Sequence, residues 1–559
     1  MRALVSRLSP LFLYAALFSL AINLLLLAPP LYMLQVFDRV LSSRSGETLA
    51  MLSVAALIAL LVMALLDVVR ARLLVATGAA LDRRLGPRVL EGLLAQTARL
   101  SGASHLNGLR DVSTLRAFLG GPGLMAVFDA PWLPFFLLLI FLFHPLLGVV
   151  ALAGALLMVL LALLNEKRTR APLERAQMQA RQAGRFIDVS ARNAEVIEAL
   201  GMLPAVTRRW AVLNESALRE QGRAGGIGAG FSGFTRFARQ FIQLAMLAAG
   251  AHLVLAQQVS AGIMIAATIL LGRALAPVEA LVAGWRGLVE ARAAWRRLDA
   301  LLAAHPPAPP ATELPAPAGA LRVEQLAFTL PGSERPILRG VSFELAPGES
   351  LGIIGPSASG KSTLARLIVG IWKPVSGSVR LDGAEVSAWP RERLGPHLGY
   401  LPQDLELFSG TVAQNIARLA EPDAAEVIRA AQEAHVHELI LRLPKGYDTE
   451  IGESGHALSP GQRQRIALAR ALYGQPRLVV LDEPNASLDH EGDEALLRAL
   501  QGLKARGATL IVVAHRPSVL RGIDKLLVLR EGAVQSFGPR AELLARLARP
   551  ARVPVERVA

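Results

Sequence analysis

The chain divides by its hydrophobic pattern before any motif is read. Roughly its first 300 residues are dominated by Leu, Ala and Val, whereas the remainder has the mixed pattern of an α/β protein. Six apolar segments, 11–31, 49–67, 127–143, 145–164, 237–257 and 260–283, reach or approach the about 20 residues that a helix needs to cross a bilayer. His144-Pro145 separates the third from the fourth as a tight turn, and Pro29-Pro30 breaks the end of the first.

Between the spans, basic residues are unevenly spread. Arg70, Arg72, Arg83, Arg84, Arg88, Arg99, Arg110 and Arg116 fall in segment 67–126, and a second basic group from Lys167 to Arg223 falls in 165–233. The other loops carry little beyond Arg39 and Arg44. Lys and Arg collect on the cytoplasmic side, so both long basic segments are expected there. Six spans then return the chain to the cytoplasm, with both termini on that side. Arg2 and Arg7 could begin a signal peptide, but the first apolar run is long, lacks a cleavage site and is followed by five more. The basic segments are also rich in helix formers, which predicts helices continuing below the membrane. Breaks are expected at Gly120-Gly121-Pro122-Gly123 and from Gly201 to Pro204, as turns linking helices or passing motion between domains.

Domain limits follow: a transmembrane domain over 1–303, a Pro-rich extended linker over 304–320, a globular domain over 321–545 and a tail over 546–559. The formal charge of +14 would suit nucleic acid, but the excess Arg has its own explanation beside the spans, and no nucleic-acid partner is expected. Cysteine is absent, which excludes disulfides and thiolate metal sites.

The most specific chemistry is Gly355-Pro356-Ser357-Ala358-Ser359-Gly360-Lys361-Ser362-Thr363, which fits G-x-x-x-x-G-K-[ST]. An apolar strand, Ser350 to Ile354, precedes it and an amphipathic helix, Lys361 to Trp372, follows. That context predicts backbone N–H groups cradling the phosphates of ATP, Lys361 at the β- and γ-phosphates and the Ser362 hydroxyl on Mg²⁺. A second strand, Leu478 to Asp482, ends in Asp482-Glu483. Asp482 is positioned to hold Mg²⁺, and Glu483 is the expected general base for attacking water. A third strand, Thr509 to Ala514, ends at His515, which could reach the γ-phosphate. Gly228-Ala229-Gly230-Phe231-Ser232-Gly233 also satisfies G-x-G-x-x-G, but no strand precedes it, so those glycines are expected to allow close helix packing or a bend. Arg273, inside the sixth span, lines a cationic path, or else snorkels or pairs, with Glu279 as one candidate.

The phosphate loop, Gln403, Leu458-Ser459-Pro460-Gly461-Gln462, Asp482-Glu483, Ser487-Leu488-Asp489 and His515 stand in an order that resembles the ATP-binding cassette. The middle motif is similar to that family's LSGGQ sequence and discriminates it from other phosphate-loop ATPases. The fold implied is a multi-domain membrane protein: an all-α, six-helix transmembrane domain of exporter type followed by an α/β P-loop ATP-binding cassette domain. By this resemblance Gln403 contacts Mg²⁺ and the attacking water. Ser459, Gly461 and Gln462 bind the γ-phosphate held by another subunit, Asp489 lies at the subunit interface, and His515 stabilises the transferring phosphate. Two composite sites in a homodimer are implied.

Pro30-Leu31-Tyr32-Met33-Leu34-Gln35-Val36-Phe37-Asp38-Arg39-Val40-Leu41, with Gly46-Glu47-Thr48-Leu49, resembles the first external loop of type I secretion ATPases. Asp482-Glu483-Pro484-Asn485 is similar to their PrtD-like branch. That resemblance implies an inner-membrane exporter of unfolded polypeptides, surrounded by membrane lipids. Its implied partners are a membrane-fusion protein, an outer-membrane channel and a secreted polypeptide. It also implies no N-terminal peptidase domain and no leader cleavage. An exporter of lipids or small amphipathic compounds is the alternative, and a subunit binding ATP without turnover is opposed by Glu483. Two positions depart from the family pattern. Leu330 stands where an aromatic residue would stack on adenine, with Phe328 on the strand nearby. Pro460 replaces a glycine, which is acceptable at a first helical turn and predicts a modified contact.

Overall fold

In a computed structural model, residues 9–99, 108–305, 314–331, 333–452, 455–514 and 516–547 are described. They form two compact units, one of residues 9–97 and 108–305 and one of residues 98–99 and 314 onward. Much of the expected linker, the tail beyond Leu547 and His515 lie outside the described residues.

The first unit is helical. Among the described residues, six helices are long and apolar enough to cross a membrane: Ser9–Ser43, Gly46–Ala98, Pro122–Phe143, Pro145–Arg192, Leu203–Leu255 and Ala261–Ala283. At 1.5 Å per residue the second, fourth and fifth each run about 70–80 Å, far beyond a hydrocarbon core of about 30 Å. Pro29 and Pro30 do not end the first span. They occupy the first turn of helix Ala28–Gln35, where the missing N–H costs nothing, and the irregularity lies just before them at Leu26-Leu27. The chain then passes through a π-helical turn, Val36–Val40. In that turn Asp38 accepts bonds from the Ser260 hydroxyl (2.5 Å) and the Gly262 N–H (3.0 Å) at the start of the sixth span. His144 is extended, and its ring Nδ1 accepts from Leu146 N–H, so the third and fourth spans turn sharply there.

Phe136, Ile140, Leu147, Met158, Met246, Leu271 and Leu275 centre the apolar core of spans three to six. A second core packs the lower part of the second span on helices Gly108–Leu119 and Trp285–Ala304, through Leu85, Val89, Val112, Leu115 and Leu298. One buried polar cluster joins spans one, two and three. Asp129 accepts from Ser19 Oγ (2.5 Å), Asn23 Nδ2 (3.1 Å) and Arg70 (2.7 Å), and Arg70 also reaches Asp67 (2.7 Å). Glu279 pairs with Arg239 at 3.1 Å rather than with Arg273, which is exposed and forms no ion pair among the described residues.

Gly228 to Gly233 lie within the unbroken helix Leu203–Leu255, and a Cβ built on Gly228, Gly230 or Gly233 meets nothing within 4 Å. The expectation of close helix packing there is overturned: the glycines face open space. The other breaks occur at Gly121, extended before helix Pro122–Asp129, and at Gly201, whose φ of +62° ends a helix in the left-handed region.

The second unit holds two sheets. β1 (Leu321–Thr329), β2 (Pro336–Leu345), β4 (Ser376–Leu381) and β5 (Ala384–Glu385) form an antiparallel sheet in the order β2-β1-β4-β5. β3 (Ser350–Ile354), β6 (Leu398–Leu401), β7 (Leu478–Asp482), β8 (Thr509–Val513), β9 (Lys525–Arg530) and β10 (Ala533–Pro539) form the other, in the order β10-β9-β3-β8-β7-β6. From β9 to β6 all pairings are parallel. Every residue of β7 and β8 is buried, as expected for parallel strands covered on both faces. Parallel pairing brings the carboxyl ends of β3, β6, β7 and β8 to one edge, where ligands bind in such sheets.

Candidate functional site

The loop from Gly355 to Gly360 leaves the carboxyl end of β3 and enters helix Lys361–Ile368. Glycine is required at both ends of it. A Cβ at Gly355 would collide with the Leu529 carbonyl, and Gly360, at φ +97°, would press one against Leu338. Ala358 also takes a left-handed φ, +62°. The result is a turn whose N–H groups and following helix N-terminus suit phosphate. Lys361 Nζ folds back onto the carbonyls of Gly355 (3.0 Å) and Pro356 (2.9 Å). Burial lowers its pKa, against the opposing pull of Glu483 and Asp482.

Two further strands deliver side chains to the same edge. Ser362 Oγ donates to Gln403 Oε1 at 3.4 Å, just past β6. Asp482 ends β7 at 1 % exposure, and neither carboxylate oxygen has a hydrogen-bond partner. Burial pushes its pKa up, despite the nearby Ser362 hydroxyl and the Arg366 and Lys361 charges. Glu483 follows with φ +52°, its N–H bonded to the Val513 carbonyl of β8 (3.0 Å). A buried, unpartnered carboxylate beside a serine hydroxyl and an amide oxygen is a hard-oxygen donor set, which fits Mg²⁺.

The second motif group forms a separate cleft. Ser459 caps helix Pro460–Leu472, with Pro460 in its first turn. Ser459 Oγ accepts from Gln462 N–H (3.2 Å), and Gln462 Oε1 accepts from Ser459 N–H (2.9 Å). This capping box engages both side chains expected to meet a γ-phosphate. Asp489 caps helix His490–Ala505 through Gly492 N–H (2.8 Å). Ser459, Gly461, Gln462, Ser487 and Asp489 together line a cavity of about 390 Å³. Among the described residues, no hydrogen bond joins Ser459, Gly461 or Gln462 to the phosphate loop.

Sequence reasoning missed two residues. Gln464, 8 % exposed, donates through Nε2 to the Glu483 carbonyl (3.2 Å) and accepts from Ser487 N–H (2.9 Å). Its place three residues beyond Gly461, on the inward face of a capped helix, was the available signal. Arg418, at φ +58°, gives its guanidinium to five carbonyls: Gly395, Leu398, Arg470, Ala471 and Tyr473. It thereby ties the end of helix Pro460–Leu472 to the start of β6, and nothing in its local sequence announces this. Phe328 is taken up by the core, stacked on Trp372 at 5.0 Å, and Leu330 packs against the same core. Neither supplies a free aromatic face.

Comparison with known proteins agrees with both halves. Residues 338–486 match the ABC transporter family model, and residues 12–277 match that for the ABC transporter transmembrane region. The type I secretion system ATP-binding protein PrsD of Rhizobium meliloti (strain 1021) is 47 % identical over 96 % of this chain and 92 % of its own. The cyclolysin secretion/processing ATP-binding protein CyaB of Bordetella pertussis is 33 % identical over 95 % of this chain and 75 % of its own. A bacterial Atm1-family ABC exporter solved with ATP bound shares the fold, with a TM-score of 0.84 at 24 % identity, covering 98 % of this chain and 99 % of that one. With kinship running through the spans as well as the phosphate loop, the protein belongs to the ABC transporter family and is an ATP-hydrolysing transporter.

Proposed function

We propose that this chain is the energising subunit of a type I secretion system in a bacterial inner membrane, exporting unfolded polypeptides with a membrane-fusion protein and an outer-membrane channel. Support for the secretion role comes from PrsD and CyaB, both named for secretion and both similar along nearly the whole chain. The further reading is a homodimer with two composite sites. One observation carries it: the chain has one phosphate-loop cluster and one Ser459–Asp489 cleft, with no hydrogen bond between the phosphate loop and Ser459, Gly461 or Gln462 among the described residues. Each cleft would then close over the phosphate loop of a second copy.

In that site the loop N–H groups and Lys361 hold the β- and γ-phosphates of ATP. Ser362, Gln403 and Asp482 would hold Mg²⁺, which neutralises charge developing on the phosphates. Glu483 takes the proton of the attacking water, a role worth roughly 10²–10⁴ in rate. Gln403 orients that water, and His515 would stabilise the transferring phosphate. The partner's copies of Ser459, Gly461 and Gln462 reach the γ-phosphate: the capping box uses the Ser459 Oγ and Gln462 Oε1 only as acceptors, which leaves the Ser459 hydroxyl proton and the Gln462 Nε2–H groups to donate. Asp489 completes the interface.

Mixed dimers test the composite site. One protomer carries Lys361→Ala and the other Gly461→Asp, with a different tag on each. Composite sites leave one site intact, so the mixed dimer hydrolyses ATP while each homodimer is inactive; self-contained sites leave every combination dead. The export reading is checked by trapping Glu483→Gln with ATP in cells and identifying the polypeptide retained. Recovery of lipid or a small amphipathic compound alone would replace it.

A further inference from the structure

A bound nucleotide needs a surface for its base, and the strands beside the phosphate loop supply no free aromatic one. Phe328 is stacked on Trp372, and Phe343 packs on Phe537 at 6.0 Å. Leu330, just past β1, packs on the core and has no π-face to offer.

The glycines of the loop show which surface lies next to it. A Cβ built on Gly360 would lie 3.3 Å from the Ile337 carbonyl oxygen and 3.4 Å from Ile337 Cγ2, so the start of β2 flanks the loop where its helix begins. The same stretch is tied to the turn between β9 and β10, where Arg339 N–H donates to the Gly532 carbonyl at 2.8 Å. The end of β9 in turn closes on the other end of the loop, the Leu529 carbonyl barring a Cβ at Gly355. The tip of the β1–β2 hairpin therefore stands beside the phosphate site.

Two local devices fix Arg335 at that tip. Pro336 confines the residue before it to extended backbone, so the strand alternation carries back and puts Arg335 on the same face as Ile337. Ser333 holds its main chain: the Ser333 hydroxyl accepts from Arg335 N–H (3.2 Å), and Ser333 N–H donates to the Leu330 carbonyl (3.0 Å). The side chain is left free. Arg335 is exposed, and its guanidinium forms no hydrogen bond or ion pair among the described residues.

Arg335 thus has a pinned backbone and a free planar head, two residues, or about 7 Å of strand, from a side chain at the loop. A guanidinium plane stacks on aromatic faces and is attracted to them as a cation. We propose that Arg335 lays its guanidinium on the base of the bound nucleotide and so sets nucleotide affinity with little choice among bases. Every base has a π-face, and stacking on it reads none of the base edges. The contact is made to the nucleotide on the subunit's own phosphate loop, and it stands apart from the cargo and from the Ser459 cleft.

Binding of radiolabelled ADP to the full chain in detergent provides the test. ADP lacks the γ-phosphate that the Ser459 cleft is proposed to meet, so failure of the composite site leaves the outcome untouched. Arg335→Ala is expected to weaken ADP and GDP alike, by about ten-fold. Competition by pyrophosphate, which has no base, should stay as in the wild type. Arg335→Tyr supplies a ring and should recover ADP binding, whereas Arg335→Lys, a charge without a plane, should not. Thermal unfolding without nucleotide, unaltered by changes at an exposed tip, shows that the losses are not misfolding. Unchanged ADP binding in Arg335→Ala overturns the proposal. An equal loss for pyrophosphate does so too, since Arg335 would then be a phosphate contact. Recovery with Arg335→Lys and not with Arg335→Tyr would mean charge alone, and a loss confined to GDP would mean hydrogen bonding to a base edge. Either result replaces stacking.

Discussion

Gln464 holds Glu483 by its backbone: the Gln464 carboxamide donates to the Glu483 carbonyl at 3.2 Å and accepts from Ser487 N–H at 2.9 Å. One side chain on the helix capped by Ser459 therefore fixes both the acid that follows β7 and the turn leading to Asp489. The two motif groups are mechanically linked even though they line different clefts.

Gln464→Leu keeps the volume and removes both bonds. It is expected to lower kcat for ATP hydrolysis about ten-fold or more with little change in KM, because each buried bond to an otherwise orphaned group is worth about 1–3 kcal/mol. Steady-state ATPase kinetics check this. An equal loss in KM would mean that Gln464 shapes nucleotide binding instead. Gln464→Glu keeps the acceptor for Ser487 and should fall between the two.

The strand-and-loop plan was legible because its signals are local. The Ser350–Ile354 run, the glycines and Asp482-Glu483 each report on a few neighbouring residues. What escaped depends on pairings across the chain. Gln464 meets Ser487 only because β7 and the helix from Pro460 are neighbours, and Arg418 finds carbonyls more than fifty residues away. The six spans were equally visible by composition, but the open space beside Gly228 was not. Small residues at helical spacing signal either contact or vacancy, and only the neighbouring helices decide which. Pro29-Pro30 misled for the opposite reason: proline ends one helix or begins the next, and here Ala28–Gln35 starts with them.

Acid should loosen the nucleotide-binding unit through Asp524. Burial raises its pKa, but bonds from Lys504 (2.5 Å), the Ser350 hydroxyl (2.7 Å) and Ser350 N–H (3.1 Å) outweigh this and hold it below the usual carboxylate range. Its folded-state pKa is depressed, so its contribution is fully present above the unfolded value of about 3.9 and is lost as pH falls through the folded value. Thermal unfolding as a function of pH should show a drop in this acidic window that Asp524→Asn reduces. A variant with the wild-type slope would remove Asp524 from the acid response.

Asp129 and Arg70 carry opposite expectations for single and double substitution. Asp129→Ala deprives the buried Arg70 of one of its two carboxylates and strips the partner from Ser19 and Asn23, a loss below the roughly 3–5 kcal/mol of a fully unpaired buried charge because Asp67 remains. Removing both charges, as Arg70→Met with Asp129→Leu, should restore much of that stability, since the desolvation cost of the pair disappears with it. Unfolding in detergent measures both. If the double variant is as unstable as the single, the cluster supplies more than charge balance.

Orientation can be read directly because the sequence contains no cysteine. Ser45 lies in the short turn between the first two spans, and Ser190 lies near the far end of the 48-residue helix Pro145–Arg192. From Pro145 to Ser190 the helix covers about 68 Å, so the two positions fall on opposite sides of a bilayer of about 40–45 Å if the helix stays near the membrane normal. A membrane-impermeant maleimide added outside spheroplasts should label Ser45→Cys and leave Ser190→Cys unlabelled until the membrane is opened. Labelling of Ser190→Cys from outside would invert the spans. The basic segments, the phosphate loop and Glu483 would then face away from cytoplasmic ATP, a placement that ATPase activity in inside-out vesicles would contradict.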